Sequence, residues 1–149
     1  MGYPDRSDLD SVNSRFNRLP YVADPKNFDD WSPIDESGGD CESYAVGKLR
    51  ALVSLGWPIE RLRLACCYVE PYQLKDATTG LVRWATMEER YHGVLDVKTD
   101  FGPRILDNRQ DHPCTLGELY VLGYVPDRIQ REGGSRDWAK WIWEDAPAA

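Results

Sequence analysis

The chain has 149 residues, a length that fits one domain (1–149) with its own buried core. With 42% hydrophobic and 29% charged residues, and 12 Gly and 10 Pro spread along it, the chain is neither disordered nor low in complexity. Its net charge of −7 leaves no basic footprint, which argues against nucleic acid or an anionic membrane surface as a partner.

The N-terminus, Met1-Gly2-Tyr3-Pro4-Asp5-Arg6, has neither a basic start nor an apolar run of the signal-peptide kind. That predicts a cytoplasmic protein, or a periplasmic one if a leader has been removed. Residues 1–39 are polar and punctuated by Pro and Gly, with a short helix expected over Ser11 to Leu19. The strongest helix follows. Asp40 is placed to cap it, and Tyr44-Ala45, Leu49 and Leu52-Val53 recur at helical spacing. Lys48 and Arg50 fall toward its far half, where the helix dipole favours cations. Gly56 and Pro58 end it.

The period then changes to two. Arg61 to Glu70 is apolar on both faces and reads as a central strand. Residues 71–80 read as a loop, Leu81 to Thr86 as a weak strand, and Tyr91 to Thr99 as a strong one. Asp100-Phe101-Gly102-Pro103 is a turn, and Arg104 to Asp107 a short strand. Leu116 to Tyr124 and Trp138 to Trp143 are apolar pieces that periodicity alone does not assign. A leading helix followed by strands predicts an α+β fold with an antiparallel sheet.

Three residues carry the chemistry. Cys41 opens the best helix, directly after Gly38-Gly39-Asp40, and the start of a helix favours the thiolate of a cysteine placed there. Gly38 and Gly39 leave room for a substrate backbone to approach. His92 lies on the strand face opposite Tyr91, Leu95 and Val97. A hairpin turn centred between Thr99 and Asp100 sets His92 opposite Asp107, so that a carboxylate would orient the imidazole. The other cysteines carry no assigned chemistry. Cys66 and Cys67 are neighbours in a strand, Cys114 sits in a loop, and no spacing suggests disulfides or a zinc site. His112-Pro113-Cys114 is a weaker thiol–imidazole pairing, because sequence neighbours rarely meet productively. Trp138, Trp141 and Trp143 offer either a partner surface or a packed face.

Four segments together resemble the bacterial transglutaminase-like cysteine proteinases: Asp30-Trp31-Ser32-Pro33, Gly39-Asp40-Cys41-Glu42-Ser43-Tyr44-Ala45 leading to Lys48, His92-Gly93-Val94-Leu95, and Leu106-Asp107-Asn108. The resemblance covers roughly residues 11–125. It implies a papain/transglutaminase-like fold with the nucleophile-bearing helix packed on an antiparallel sheet. It also implies a cysteine peptidase in which Cys41 is the nucleophile, His92 the general base and acid, and Asp107 its orienter. The backbone N–H of Cys41, with Trp31 and Gly39 nearby, would serve the oxyanion and the substrate. The substrate class would be a protein or peptide. The family includes calcium-dependent periplasmic proteases that clip large adhesins, and Asp40 and Glu42 match their acidic flanks. Ser43 stands where a further acidic residue is common in the family, which removes one possible calcium ligand. A compact chain without a leader would suit a bacteriophage-encoded member. The alternatives are acyl transfer to an amine, as in transglutaminases, or a non-catalytic protein-binding module on the same scaffold.

Overall fold

The computed structural model describes residues 6–22 and 38–143. Helix α1 (Ser7–Asn17) starts four residues before the expected Ser11. Leu9, Val12 and Phe16 form its buried stripe, and the extra turn places Leu9 on the same face as Val12 and Phe16. Asp8 and Asp10 lie in that turn, where the dipole favours acids. Helix α2 (Cys41–Ser54) begins where expected: Asp40 caps it, its Oδ1 accepting from the Ser43 N–H and Oγ, each at 3.0 Å. Gly56 takes φ +102° just past its end, a conformation that favours glycine.

The strands are β1 (Leu62–Tyr68), β2 (Gln73–Lys75), β3 (Val82–Trp84), β4 (Tyr91–Thr99), β5 (Gly102–Leu106), β6 (Val125–Gln130) and β7 (Trp138–Lys140). The main sheet runs β5-β4-β1-β6-β7, with every neighbouring pair antiparallel. β1 is central, as its two apolar faces predict. The loop expected over 71–80 contains β2, which pairs with β3 in an exposed hairpin turned by Asp76. Helix α3 (Met87–Arg90) opens with a Thr86–Glu89 capping box and runs directly into β4. The ambiguous piece after residue 115 is α4 (Leu116–Leu122), capped in the same way by Thr115 and Glu118.

Each face of the sheet carries its own core. On one face α1 and α2 pack Leu9, Val12, Phe16, Tyr44 and Leu52 onto Leu62, Leu64, Leu95, Val97 and Leu106. On the other, Cys67, Val94 and Ile105 meet Cys114, Leu119, Tyr124 and Trp141. Cys66 and Cys67 are thus buried on opposite faces of β1. Among the described residues no helix is long and apolar enough to cross a membrane.

Of the two readings of the tryptophans near the C-terminus, the packed face describes how they sit on the domain. Trp141 is buried and packs edge-on against half-buried Trp143, with ring centroids 5.1 Å apart. Trp138 is half-buried against the first core, under the Arg128 guanidinium. Three apolar rings so close in sequence lower the free energy more by packing on their own domain than by standing in water.

Candidate active site

The site is assembled where the start of α2 meets the start of β4 and the residue that follows β5. Cys41 is the first residue of α2 and is buried, and the Gly93 N–H donates to its Sγ at 3.3 Å. His92, the neighbour of Gly93 in β4, is buried beside it, near enough for the Cys41 side chain to help raise the imidazole pKa. On the far side of the ring, His92 Nε2 lies 2.5 Å from Asp107 Oδ1. Nδ1 is therefore the nitrogen left for the thiol.

The meeting of His92 with Asp107 does not come from the expected register. The ladder pairs Leu95 with Leu106 and Thr99 with Gly102, so the turn is centred one residue later than predicted. Extending that register puts Asp107 opposite Val94, two residues from His92. A displacement of two keeps side chains on one face, so the pair meets diagonally rather than head-on.

Asp107 is held at every polar atom of its side chain. Oδ1 also accepts from the Arg109 N–H at 2.9 Å, and Oδ2 accepts from the Tyr124 hydroxyl at 2.6 Å. Arg109 and Gln110 donate to that hydroxyl, each at 3.2 Å, and Glu70 grips Arg109 through two contacts of 2.6 and 2.9 Å. Burial alone would raise the Asp107 pKa. The charge and hydrogen bond of His92, with the bonds from Tyr124 and Arg109, outweigh burial and hold the carboxyl below its usual range. Burial likewise works against the His92 imidazolium, but Asp107 and then Cys41 outweigh it and raise its pKa well above that of free imidazole.

A layer behind the loop was not evident in the sequence. Asn17 Nδ2 donates to the carbonyls of Asp107 at 3.1 Å and Gln110 at 2.8 Å, and Asn13 Nδ2 donates to Gln110 at 3.1 Å. Lys48 Nζ, fully buried, donates to Asn13 Oδ1 at 2.8 Å. Lys48 thus serves no dipole at the end of α2. It sits mid-helix and ties α2 to α1 and, through α1, to the Asp107 loop. Its place between Tyr44 and Leu52 on the apolar stripe was the available signal, as was the Asn13–Asn17 spacing of four on α1.

The glycines before Cys41 act within the chain. Gly38 has φ +94°, and a Cβ there would lie 2.1 Å from the Pro20 carbonyl oxygen. The Gly39 N–H donates to that carbonyl at 3.2 Å, while its own carbonyl accepts from Val22 at 2.8 Å. The Gly39 N–H and carbonyl are therefore both engaged within the chain. Trp31, the other expected contributor, lies outside the described residues. Asp40 and Glu42 flank Cys41 as expected, Asp40 as the cap of α2 and Glu42 buried in its first turn.

A cavity of about 340 Å³ reaches His92, lined by Tyr21, Tyr72, Glu89, Arg90, Tyr91, Asn108 and Arg109 among others. Burial, then the nearby Cys41 and Asp40, pushes the Tyr21 phenol up to about 12, so it stays a neutral hydrogen-bond donor. Asn108 Oδ1, also buried there, accepts no hydrogen bond among the described residues.

A helix start carrying a thiol against a sheet carrying an imidazole–carboxylate pair places the fold in the transglutaminase-like class. The chain belongs to the family described as bacterial transglutaminase-like cysteine proteinase BTLCP, whose model matches residues 4–119. Among solved structures it is similar to Legionella pneumophila LapG, at 25% identity over 83% of this chain and 64% of that one, with a TM-score of 0.60. The calcium-bound form of LapG gives the same identity and coverage and a TM-score of 0.61. The EGTA-treated form, 22% identical over 92% of this chain and 67% of that one, supports the fold alone with a TM-score of 0.63. The chain therefore spans a little under two thirds of the first two of these. No match was found among curated proteins.

Proposed function

We propose that the chain is a peptidase that cleaves amide bonds of a protein or peptide with Cys41, His92 and Asp107 as its catalytic residues. The observation that carries this reading is the buried 2.5 Å contact of His92 Nε2 with Asp107 Oδ1 behind a thiol at the start of α2. His92 Nδ1 takes the Cys41 proton as sulfur attacks the substrate carbonyl, and returns it to the departing amine. Water then gives a proton to His92 and attacks the acyl-enzyme, releasing a carboxylic acid and restoring the thiol. Asp107 holds the ring and stabilises the imidazolium without taking its proton. The Cys41 N–H, one of the first-turn amides with no acceptor inside its own helix, faces the developing oxyanion. The Tyr21 hydroxyl is a second donor within the cavity, and Asn108 Oδ1 is an acceptor for a substrate backbone N–H.

Calcium enters beside this chemistry and not within it. Asp40 and Glu42 are oxygen donors of the kind calcium prefers, and together they fill only part of the roughly six to eight positions it takes. We propose them as this chain's contribution to such a site, where the ion would offset negative charge next to Cys41.

The test is digestion of a peptide library in ¹⁸O-water by the full chain, with and without EGTA. New C-termini carrying ¹⁸O are expected from the wild type and from none of the Cys41→Ala samples. A drop with EGTA is expected if calcium supports the site. Hydroxylamine in the same mixture should divert part of the product to hydroxamates, as an acyl-enzyme requires. Cleavage by Cys41→Ala equal to wild type, or none by either protein, would contradict the proposal.

A further inference from the structure

Among the described residues, one group of three His, Cys, Asp or Glu side chains brings its ligand atoms within 4.8 Å of one another: His112, Cys114 and Glu118. The group stands apart from Cys41 and His92, on the loop that leads from Asp107 into α4. His112 Nε2 is 3.7 Å from Cys114 Sγ and 2.8 Å from Glu118 Oε2. Around a tetrahedral zinc ion with ordinary bond lengths, nitrogen and sulfur ligands stand about 3.6 Å apart, and nitrogen and oxygen about 3.4 Å. The His112–Cys114 separation already matches. The His112–Glu118 hydrogen bond needs to open by only about half an ångström for an ion to replace its proton.

The atoms behind the three ligands are arranged as metal ligands usually are. His112 Nδ1 is 2.8 Å from Asp111 Oδ1, which fixes the ring with Nε2 turned toward the sulfur and Glu118. Glu118 is oriented by its other oxygen, Oε1, which accepts from the Thr115 N–H at 3.0 Å as part of the cap of α4. Cys114 is held at both backbone polar groups by Ile105, its N–H donating at 2.8 Å and its carbonyl accepting at 2.7 Å. The ligands therefore project from a strand-anchored residue, a capped helix turn and a braced imidazole. We propose that His112, Cys114 and Glu118 form a binding site for a zinc-class divalent ion, completed by water, that clamps the 107–114 loop to α4.

The donor set sorts the metal. Sulfur and imidazole suit zinc, cobalt or nickel and do not suit calcium or magnesium. Binding deprotonates the thiol and the imidazole, with both protons passing to solvent. Two carboxylates raise the His112 pKa, the Asp111 bond first and Glu118 next. Burial, then Glu118, Asp107 and Asp111, pushes the Cys114 thiol up to about 12.

Cobalt(II) titration of the full chain tests the site, because a thiolate ligand gives cobalt a near-ultraviolet charge-transfer band. The Cys41→Ala protein should bind one equivalent with that band, since the site does not depend on the proposed nucleophile. Excess zinc should bleach it. His112→Ala, a change at an exposed side chain, should weaken binding at least tenfold, with its circular dichroism unchanged. Cys114→Ser should bind without the band. No band in Cys41→Ala, or an undiminished one in His112→Ala or Cys114→Ser, would overturn the proposal.

Discussion

Replacing Asp107 with Asn is expected to lower kcat for peptide cleavage by about 10²–10⁴-fold while changing KM little. Among the described residues the carboxylate is the only group on Nε2 of His92, so an amide there no longer favours the tautomer and charge that the chemistry needs. The same change also alters stability toward acid. Asp107 has a folded pKa below its unfolded value, so its contribution is complete above about pH 4 and is lost as pH falls through the folded value. His92, whose folded pKa is raised, contributes fully below about pH 6.5 and loses that contribution as pH rises through the folded value. The wild type should therefore lose stability at both extremes, and Asp107→Asn should flatten both limbs. Steady-state kinetics on a cleaved peptide and urea melts from pH 2 to 10 check the two halves. An Asp107→Asn enzyme within threefold of wild type would remove the carboxylate from the mechanism.

The second large effect is expected at Lys48. Burial lowers its pKa to about 7, against a smaller opposing pull from Asp107. The unfolded chain therefore binds the Lys48 proton more tightly than the folded one between about pH 7 and pH 10.5. Stability from this group must rise with pH across that window, by about 1.4 kcal/mol per pH unit at most. Lys48→Met keeps the apolar stem and removes the titration. Its urea midpoint should be flatter than that of wild type above pH 7, and higher than wild type below it. The Asn13 carbonyl loses its donor in the variant, which offsets part of the gain. Parallel stability profiles for the two proteins would mean that Lys48 stays charged when buried.

Much of the fold was legible because local rules and tertiary packing agreed. β4 has the bounds its alternation predicts, and α2 has the cap and terminal glycine read from Asp40 and Gly56. The meeting of His92 with Asp107 was legible for a less direct reason. The hairpin register was misjudged, yet a displacement of two residues preserves the face, so the pair still meets. A displacement of one would have put them on opposite sides of the sheet. What stayed hidden was long-range. β6 carries Pro126, Asp127 and Arg128 in a row and shows little alternation, but it has a place beside β1 that only the folded sheet defines. Lys48 reads as a dipole partner until α1 is known to lie across it. Tyr124 reads as the end of an apolar run, and its hydroxyl finds Asp107 only after α4 turns the chain back. The pairing of the Gly39 backbone with Pro20 and Val22 likewise joins residues far apart in sequence.

Cys41 is expected to be the one nucleophile among the four thiols, activated by His92. Burial raises the pKa of the thiols of Cys66, Cys67 and Cys114, so each should be slow toward an alkylating agent at neutral pH. The direct measurement is the rate of iodoacetamide labelling at each cysteine, read by peptide mass spectrometry at pH 7, in wild type and His92→Ala. Cys41 should be labelled first by a wide margin, and His92→Ala should slow it at least tenfold. Labelling of Cys41 no faster than the other three, or a rate indifferent to His92, would contradict that expectation.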